Sequence, residues 1–429
     1  MLDDFFDGIE INENENKNST DKTEKNKEEI SIEDVNSDID NIIENLQPQE
    51  NTENKINRSG NVNNNPTISE DINKPFLPDC GHDFTNKSVI KIEGQKDIYI
   101  EHKVPAKPTI KFEQESWEDI DKFEKEAWMP NKTGYKTGFS NIDKALDGGL
   151  KAGFYIIAGD SNIGKSAIMA QMAFNLPQLN DNVFVMDFSL DDPKEDRIPR
   201  ILGSNYKILL NAIKNPNGYK QYPQMIVRRK AALLKLRESV DRYKLYDASD
   251  MVYIEDIDEE IKRISIELKS NNINKNIVVF IDNFHDLMLK GKDNLDDKTR
   301  YEKLAEKVSD MSIQWGIPIV CTAEFRKLKD PKNNRPEIDD IREAVKIKYR
   351  AKCILLLYNQ VHYKGENADM YFTRTSSPNK QPVIEVRFAK NKISDFKGTT
   401  FFEFFPEMAR VEVPSQQSIN AYKNILYKQ

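Results

Sequence analysis

The chain has 429 residues, of which 38% are hydrophobic and 31% charged, and its formal net charge is −8. That length allows two or three domains, and no apolar run approaches the roughly 20 residues a membrane-spanning helix needs. The three cysteines, Cys80, Cys321 and Cys353, are too few and too scattered for a disulfide framework and read as reduced thiols. The Asp-rich N-terminus does not resemble a signal peptide, so a cytoplasmic protein is expected, in a host cytoplasm if the chain is phage-encoded.

The charge is unevenly spread. Residues 1–74 carry 19 of the 71 acidic residues and only 7 of the 63 basic ones. The remaining body therefore holds 52 acids against 56 bases, mildly basic and compatible with nucleic-acid binding. Residues 1–73 are rich in Asn, Glu, Asp, Lys and Ser and poor in aromatics, the composition of a disordered acidic tail. Two apolar islands interrupt it, one around Phe5 and Phe6, the other running from Ile32 to Leu46 at helical spacing. They read either as chance residues in a solvated tail or as motifs that recruit replication partners.

Residues 74–113 form a proline-bearing tether with strand-like alternation at Val89–Ile92 and Ile98–Ile100, enough for one hairpin. Cys80-Gly-His82 has no second Cys/His pair nearby and does not make a zinc site. Residues 114–132 predict an acidic amphipathic linker helix with Trp117, Ile120 and Phe123 on one side. From residue 133 to 412 strands and helices alternate. Strands are expected at Tyr155–Ala158, Asn182–Phe188, Met251–Glu255, Asn276–Ile281, Pro318–Ala323, Lys352–Tyr358, Val383–Phe388 and Thr399–Phe405. Helices are expected at Gln224–Tyr243, Asp258–Lys269 and Arg300–Trp315. That order predicts an α/β domain with a mostly parallel sheet covered on both faces and ending in an antiparallel pair. Residues 413–429 are left as a C-terminal tail.

The most informative stretch follows the first strand of this domain. Gly159-Asp160-Ser161-Asn162-Ile163-Gly164-Lys165-Ser166 matches G-x-x-x-x-G-K-[ST] in full, and Ala167 opens a helix-like run. Strand, glycine-bracketed loop and helix in that order make a phosphate-binding loop. The glycines let backbone N–H groups turn toward phosphates at the helix N-terminus. Lys165, expected to pack against little in the empty site, would reach the β- and γ-phosphates of ATP, and Ser166 would hold Mg²⁺.

Three further strands deliver polar groups to the same edge. The apolar run Ile277–Ile281 ends at Asp282, suited to help hold Mg²⁺. Val183–Leu190 leads to Asp191 and Asp192, placed either to activate water or to cap a helix beginning at Pro193. Ile317–Ala323 ends at Glu324, positioned to sense a γ-phosphate.

Taken with Tyr135–Asp143, Gly148-Gly149-Leu150, Phe188-Ser189-Leu190, Leu287-Met288, Arg335-Pro336 and Asp340-Ile341-Arg342-Glu343, this series resembles the RecA-fold motor domain of DnaB-type replicative helicases. Related phage primase-helicases share that motor. The resemblance spans about residues 114–412 and includes neither the DnaB N-terminal helical domain nor a primase domain. It implies an ATP-dependent DNA helicase working as a homo-oligomeric ring, usually a hexamer, with ATP between neighbours and single-stranded DNA in the channel. By position, Arg342 and Glu343 fall in the channel-lining segment, and Lys327, Lys329 and Lys332 precede it and could extend the DNA groove.

The chain departs from that family's pattern at three places. Asp191 stands where Glu is usual, Glu324 where Gln or His is usual, and Lys390-Asn391-Lys392 where a Lys-x-Arg supplies a finger to the neighbouring site. Lysine offers a point charge in place of arginine's planar fork. Two other readings remain open from sequence: a RecA- or KaiC-like DNA-binding ATPase that does not unwind, and a weakly hydrolysing replication adaptor.

Overall fold

The computed structural model describes residues 85–90, 98–103, 110–127, 134–292, 294–374 and 377–427. The acidic tail with its two apolar islands, and Cys80-Gly-His82, lie outside the described residues. The chain divides into two units, Pro48–Lys132 and a larger one containing Thr133–Gln429. In the smaller unit, β1 (Thr85–Ile90) pairs antiparallel with β2 (Ile98–Lys103), Thr85 opposite Lys103 and Ile90 opposite Ile98. It also holds α1 (Lys111–Ala127), whose Ile120 and Phe123 are well exposed and whose Trp117 is half-buried.

The larger unit is built on a ten-stranded sheet. Its helices and strands alternate as α2 (Ser140–Ala145), β3 (Gly153–Gly159), α3 (Lys165–Leu179), β4 (Val183–Ser189), α4 (Lys194–Tyr206), α5 (Leu210–Lys214) and α6 (Pro223–Glu238). The chain continues through β5 (Tyr243–Asp247), α7 (Ile254–Ser270), β6 (Asn276–Asp282), α8 (Asp297–Gln314), β7 (Pro318–Glu324), α9 (Ala344–Arg350), β8 (Cys353–Asn359) and α10 (Gln360–Lys364). It closes with β9 (Tyr371–Arg374), β10 (Ser377–Asn391), β11 (Thr399–Phe405), β12 (Arg410–Glu412) and α11 (Gln416–Tyr427).

The strand order is β12-β11-β10-β8-β3-β7-β6-β4-β5, with β9 beside β10. Strands β8, β3, β7, β6, β4 and β5 run parallel, whereas β10, β11 and β12 pair antiparallel. Parallel strands covered on both faces read as unbroken apolar runs, and β3 and β4 are buried at every position. The pleat sends Phe154, Ile156 and Ala158 into one core with α7 and α8. Tyr155 and Ile157 enter the opposite core with α2 and α3.

Two sequence expectations are corrected. Met251–Glu255 is not a strand: Tyr253 makes one isolated parallel bridge to Met288, and α7 begins at Ile254. The strand beside β4 is instead β5, so the helix expected over Gln224–Tyr243 stops at Glu238. This edge strand interleaves buried Tyr243, Tyr246 and Asp247 with exposed Lys244, which hides its period from a five-residue window. Nor are residues 413–429 a loose end. In α11, Tyr422 is buried on Phe401, with 5.6 Å between ring centroids, and its hydroxyl donates to Glu403 at 2.9 Å.

Phe280, fully buried in the middle of β6, is a direct test of this architecture. Phe280→Ala is expected to lower stability by about 3–5 kcal/mol. Urea unfolding with an unchanged m-value checks this, and a loss under about 1 kcal/mol contradicts the placement of β6 in the core.

Candidate functional site

Strand β3 ends at Gly159, and the chain turns through residues 160–164 into α3. A Cβ on Gly159 would lie 2.6 Å from Ile163 Cγ2, and one on Gly164, at φ +110°, 2.6 Å from Ile384 Cδ1. Both positions therefore demand glycine. Ile163 plugs the loop into the core, and the first-turn N–H groups of α3 have no intrahelical acceptor. Lys165 does not stand free, contrary to the expectation from sequence. Its side chain is only 8% exposed, and Nζ donates to the Asp160 carbonyl at 2.9 Å. Burial pushes its pKa down, opposed by the carboxylates of Glu324, Asp282, Asp160 and Asp191. The loop faces a cavity of about 680 Å³ that also takes in Ser166, Ala167, Asp191, Asp282 and Glu324.

Sheet register explains why these groups meet. Gly159 lies opposite Glu324 across β3 and β7, and Ser189 lies opposite Asp282 across β4 and β6. Asp282 is nearly fully buried and bonded at both oxygens. Thr322 Oγ1 donates to Oδ1 at 2.5 Å, and Arg197 Nη1 to Oδ2 at 2.9 Å. Arg197, on α4, carries no signal in the sequence that marks it for the site. Its side chain is 0% exposed, and its Nε and Nη2 also grip Asp187 at 3.2 and 2.8 Å. Nη1 further reaches the Ser166 carbonyl at 3.3 Å, and the Tyr243 hydroxyl donates to Asp187 at 2.6 Å. Burial alone would lower the Arg197 pKa, but the Asp187 and Asp282 carboxylates outweigh it and hold the pKa above the ordinary value.

Neither Asp191 nor Asp192 caps α4. Pro193 stands at the N-cap without a side-chain bond, and the Lys194 N–H donates to Asp247 Oδ2 at 3.1 Å. The strand end of β5, missed in the sequence, supplies that acceptor. Asp192 pairs with Arg200 at 2.9 Å, which leaves the exposed Asp191 at the cavity wall. Asp286 completes an acid-rich rim. Desolvation, then the Asp191, Glu324 and Asp282 carboxylates, push its pKa up to about 6.

The expected nucleic-acid segment hangs directly on β7. Phe325 bridges Ile341 antiparallel, the Arg326 N–H donates to Asp340 O at 2.8 Å, and the Arg342 N–H to Glu324 O at 2.9 Å. Lys327, Lys329 and Lys332 are exposed in the intervening loop. The Arg342 side chain is paired with Asp297 at 2.9 Å and lies over the Tyr301 ring, so an incoming phosphate would compete with that carboxylate. Glu343 adopts φ +49° at the N-cap of α9. The structure does not bring Lys390 and Lys392 to this cavity. Asn391 lies opposite Cys353, at the start of β8, which puts the end of β10 at the amino-terminal edge of the parallel strands. There Lys390 Nζ donates to the carbonyls of Lys348 at 2.5 Å and Tyr349 at 3.1 Å. Burial, with Lys392 beside it, lowers the Lys390 pKa to about 8. Lys392 is exposed.

A parallel sheet with a glycine-bracketed loop after a central strand, and acids at the ends of its neighbours, defines a RecA-like phosphate-loop ATPase fold. The family described as DnaB-like helicase C terminal domain matches residues 134–412, and the chain belongs to that family. The chain is 22% identical over 243 residues to the "Probable replicative DNA helicase" of Trieres chinensis, covering 56% of this chain and 50% of the relative. It is 28% identical over 243 residues to the "Replicative DNA helicase DnaB" of Helicobacter pylori, covering 55% and 46%. The chain thus spans about half the length of the curated relatives it matches. Among solved structures, the ATPase domain of a phage helicase aligns with a TM-score of 0.58 at 20% identity, covering 70% of this chain and 98% of that one. A DnaB-like replicative helicase, solved for its interactions with primase, aligns at 0.56 and 21%, covering 68% and 66%. These likenesses establish the fold.

Arg197→Met would leave two carboxylates buried without their cation, at an expected loss of about 3–5 kcal/mol. Adding Asp187→Asn removes one of those charges while keeping an acceptor for Tyr243, and should recover at least about 1 kcal/mol. Chemical denaturation of both variants decides this; a double variant less stable than Arg197→Met refutes the network.

Proposed function

We propose that this chain is an ATP-dependent DNA helicase motor of the DnaB-like ring class, translocating on single-stranded DNA during replication. One observation carries the proposal. The phosphate loop, Asp282 and Glu324 line one cavity, and the backbone at Glu324 is bonded directly to the segment carrying Arg342. A RecA-like protein that binds DNA without unwinding lacks support beyond the departures at Asp191, Glu324 and Lys392.

The residues fit a nucleoside triphosphate with Mg²⁺. The loop is shaped around glycines that no Cβ could replace, and a lysine is held among acids whose excess charge suits a site that receives phosphate together with a divalent cation. Mg²⁺ would supply charge neutralisation and polarise the γ-phosphoryl group. The N–H groups at the start of α3 would take phosphate oxygens, and Lys165 would exchange the Asp160 carbonyl for them. Ser166 and Asp282 would hold the metal, with Arg197 and Thr322 fixing the orientation of Asp282. Asp191, exposed at the wall, would accept a proton from the attacking water. Glu324 places a carboxylate near the γ-phosphate where a neutral group would repel less, which favours slow hydrolysis. Lys390 and Lys392, at the far edge of the sheet, are suited to serve a neighbour's site in a hexameric ring and not their own. Arg342, Glu343, Lys327, Lys329 and Lys332 would meet the DNA backbone, and the acidic tail would recruit replication partners.

Lys165→Ala is expected to weaken ATP binding by about a hundredfold, roughly 2.8 kcal/mol, with the fold retained; calorimetric affinity equal to wild type removes the phosphate-loop assignment. For the finger, Lys392→Ala should abolish DNA-stimulated hydrolysis yet leave ATP affinity within a few-fold, and Lys392→Arg should keep or raise the rate. Mixed Lys392→Ala and Lys165→Ala subunits should regain activity, since each lends the other an intact half-site. Mixing that restores nothing at ring-forming concentrations points to a site complete within one subunit.

A further inference from the structure

His285 lies three residues beyond Asp282, in the short 3-10 turn Phe284–Asp286 that closes β6, and is buried. Both its ring nitrogens are taken by backbone, and by two different segments. The Glu324 N–H donates to Nδ1 at 3.2 Å, and Nε2 lies 3.2 Å from the Arg342 carbonyl. A backbone N–H can only donate, so Nδ1 must be the acceptor and the neutral ring carries its proton on Nε2, which then donates to Arg342. The imidazole is clamped edge-on against Tyr301 at 4.8 Å and Phe284 at 5.5 Å. Burial, with the Arg342, Lys165 and Arg300 charges, lowers its pKa to about 4, so the ring stays neutral near pH 7. Glu324 and Arg342 are also bonded to each other, backbone to backbone. Packing alone would require neither imidazole bond.

We infer that His285 is a positioning residue that locks the Arg342 segment to the strand end bearing Glu324, so that a displacement at the cavity end of β7 is carried into that segment. The ligands assigned to the two ends rest on the function proposed above, whereas the joint is a property of the fold. Nothing in the sequence signals it, because a histidine after an acid-ended strand has many uses.

The test uses the full chain and two replacements. His285→Leu fills the space without hydrogen bonds, and His285→Gln offers one acceptor and one donor. Should His285→Leu fail to fold, His285→Asn replaces it, being one methylene too short to span both backbones. Hydrogen exchange is followed at residues 322–326 and 338–343, with and without Mg²⁺ and a non-hydrolysable ATP analogue. Hydrolysis is followed with and without oligo-dT. In the wild type the nucleotide should slow exchange in both segments. In His285→Leu the protection at 338–343 should vanish while that at 322–326 and the nucleotide affinity persist, and DNA stimulation should fall about tenfold. His285→Gln should restore at least half of both effects. Protection reaching 338–343 undiminished in a folded His285→Leu, a Gln variant no better than Leu, or a wild type in which 338–343 never responds to nucleotide would each overturn the inference. Protection that transfers as expected in a wild type whose hydrolysis ignores DNA would uphold the joint and reject the helicase reading.

Discussion

The site depends on one buried guanidinium. Arg197 has no contact with water, and a charge so placed persists only if its donors are matched by acceptors and its charge by carboxylates. Its fork does both, taking Asp187 from β4, Asp282 from β6 and the Ser166 carbonyl from the first turn of α3. Three elements that diverge elsewhere are thereby held at a common point directly beneath the phosphate loop. Tyr243 on β5 and Thr322 on β7 occupy remaining acceptor positions on the two carboxylates. Strands β4, β5, β6 and β7 thus all contribute to one polar knot in an otherwise apolar sheet. The orientation of Asp282 is set by that knot and not by the loops above it.

Much of this was legible from the amino acids, for a physical reason. Buried parallel strands must be apolar along their whole length, so β3, β6 and β7 announce themselves, and the polar residue ending each run marks the edge where chemistry is possible. The glycine spacing of residues 159–164 reports a backbone shape that no other residue permits. Arg197 was not legible, because Lys194-Glu195-Asp196-Arg197 reads as the exposed charged start of a helix. Only the three-dimensional placement of Asp187 and Asp282 explains why the fourth of those charges turns inward. Strand β5 was missed for a related reason. It is a short edge strand with one open flank, and its tyrosines resemble the end of the helix before it.

Chain direction explains the division between the two lysines and the cavity. β10 enters the sheet antiparallel to β8, so its last residues are returned to the edge where the parallel strands begin. A residue there cannot reach the cavity of its own sheet, whatever its side-chain length. Lys390 is drawn into capping the last carbonyls of α9, a role that suits a cation at a helix C-terminus. The exposed Lys392 is left as the one of the pair oriented outward.

The segment between β7 and α9 has little regular structure beyond the 3-10 turn Ile338–Asp340, yet it is anchored along its length. Arg335 forms a two-pronged pair with the buried Glu385 of β10, at 2.5 and 3.0 Å. Arg387, also on β10, holds Glu337 at 2.8 Å and the Pro336 carbonyl at 2.6 Å. The Tyr358 hydroxyl of β8 donates to the Pro331 carbonyl at 2.7 Å. At its far end the segment is bonded to β7 through Phe325–Ile341 and Arg342–Glu324, with His285 behind both backbones. An arch secured to β8, β10 and β7 cannot take up a shift of one anchor by bending freely between them. Movement of the β7 end relative to β10 must therefore either rotate the arch, with its exposed lysines, as a body or break named hydrogen bonds. That is the mechanical condition under which a change at the nucleotide end of a sheet becomes a displacement at its rim.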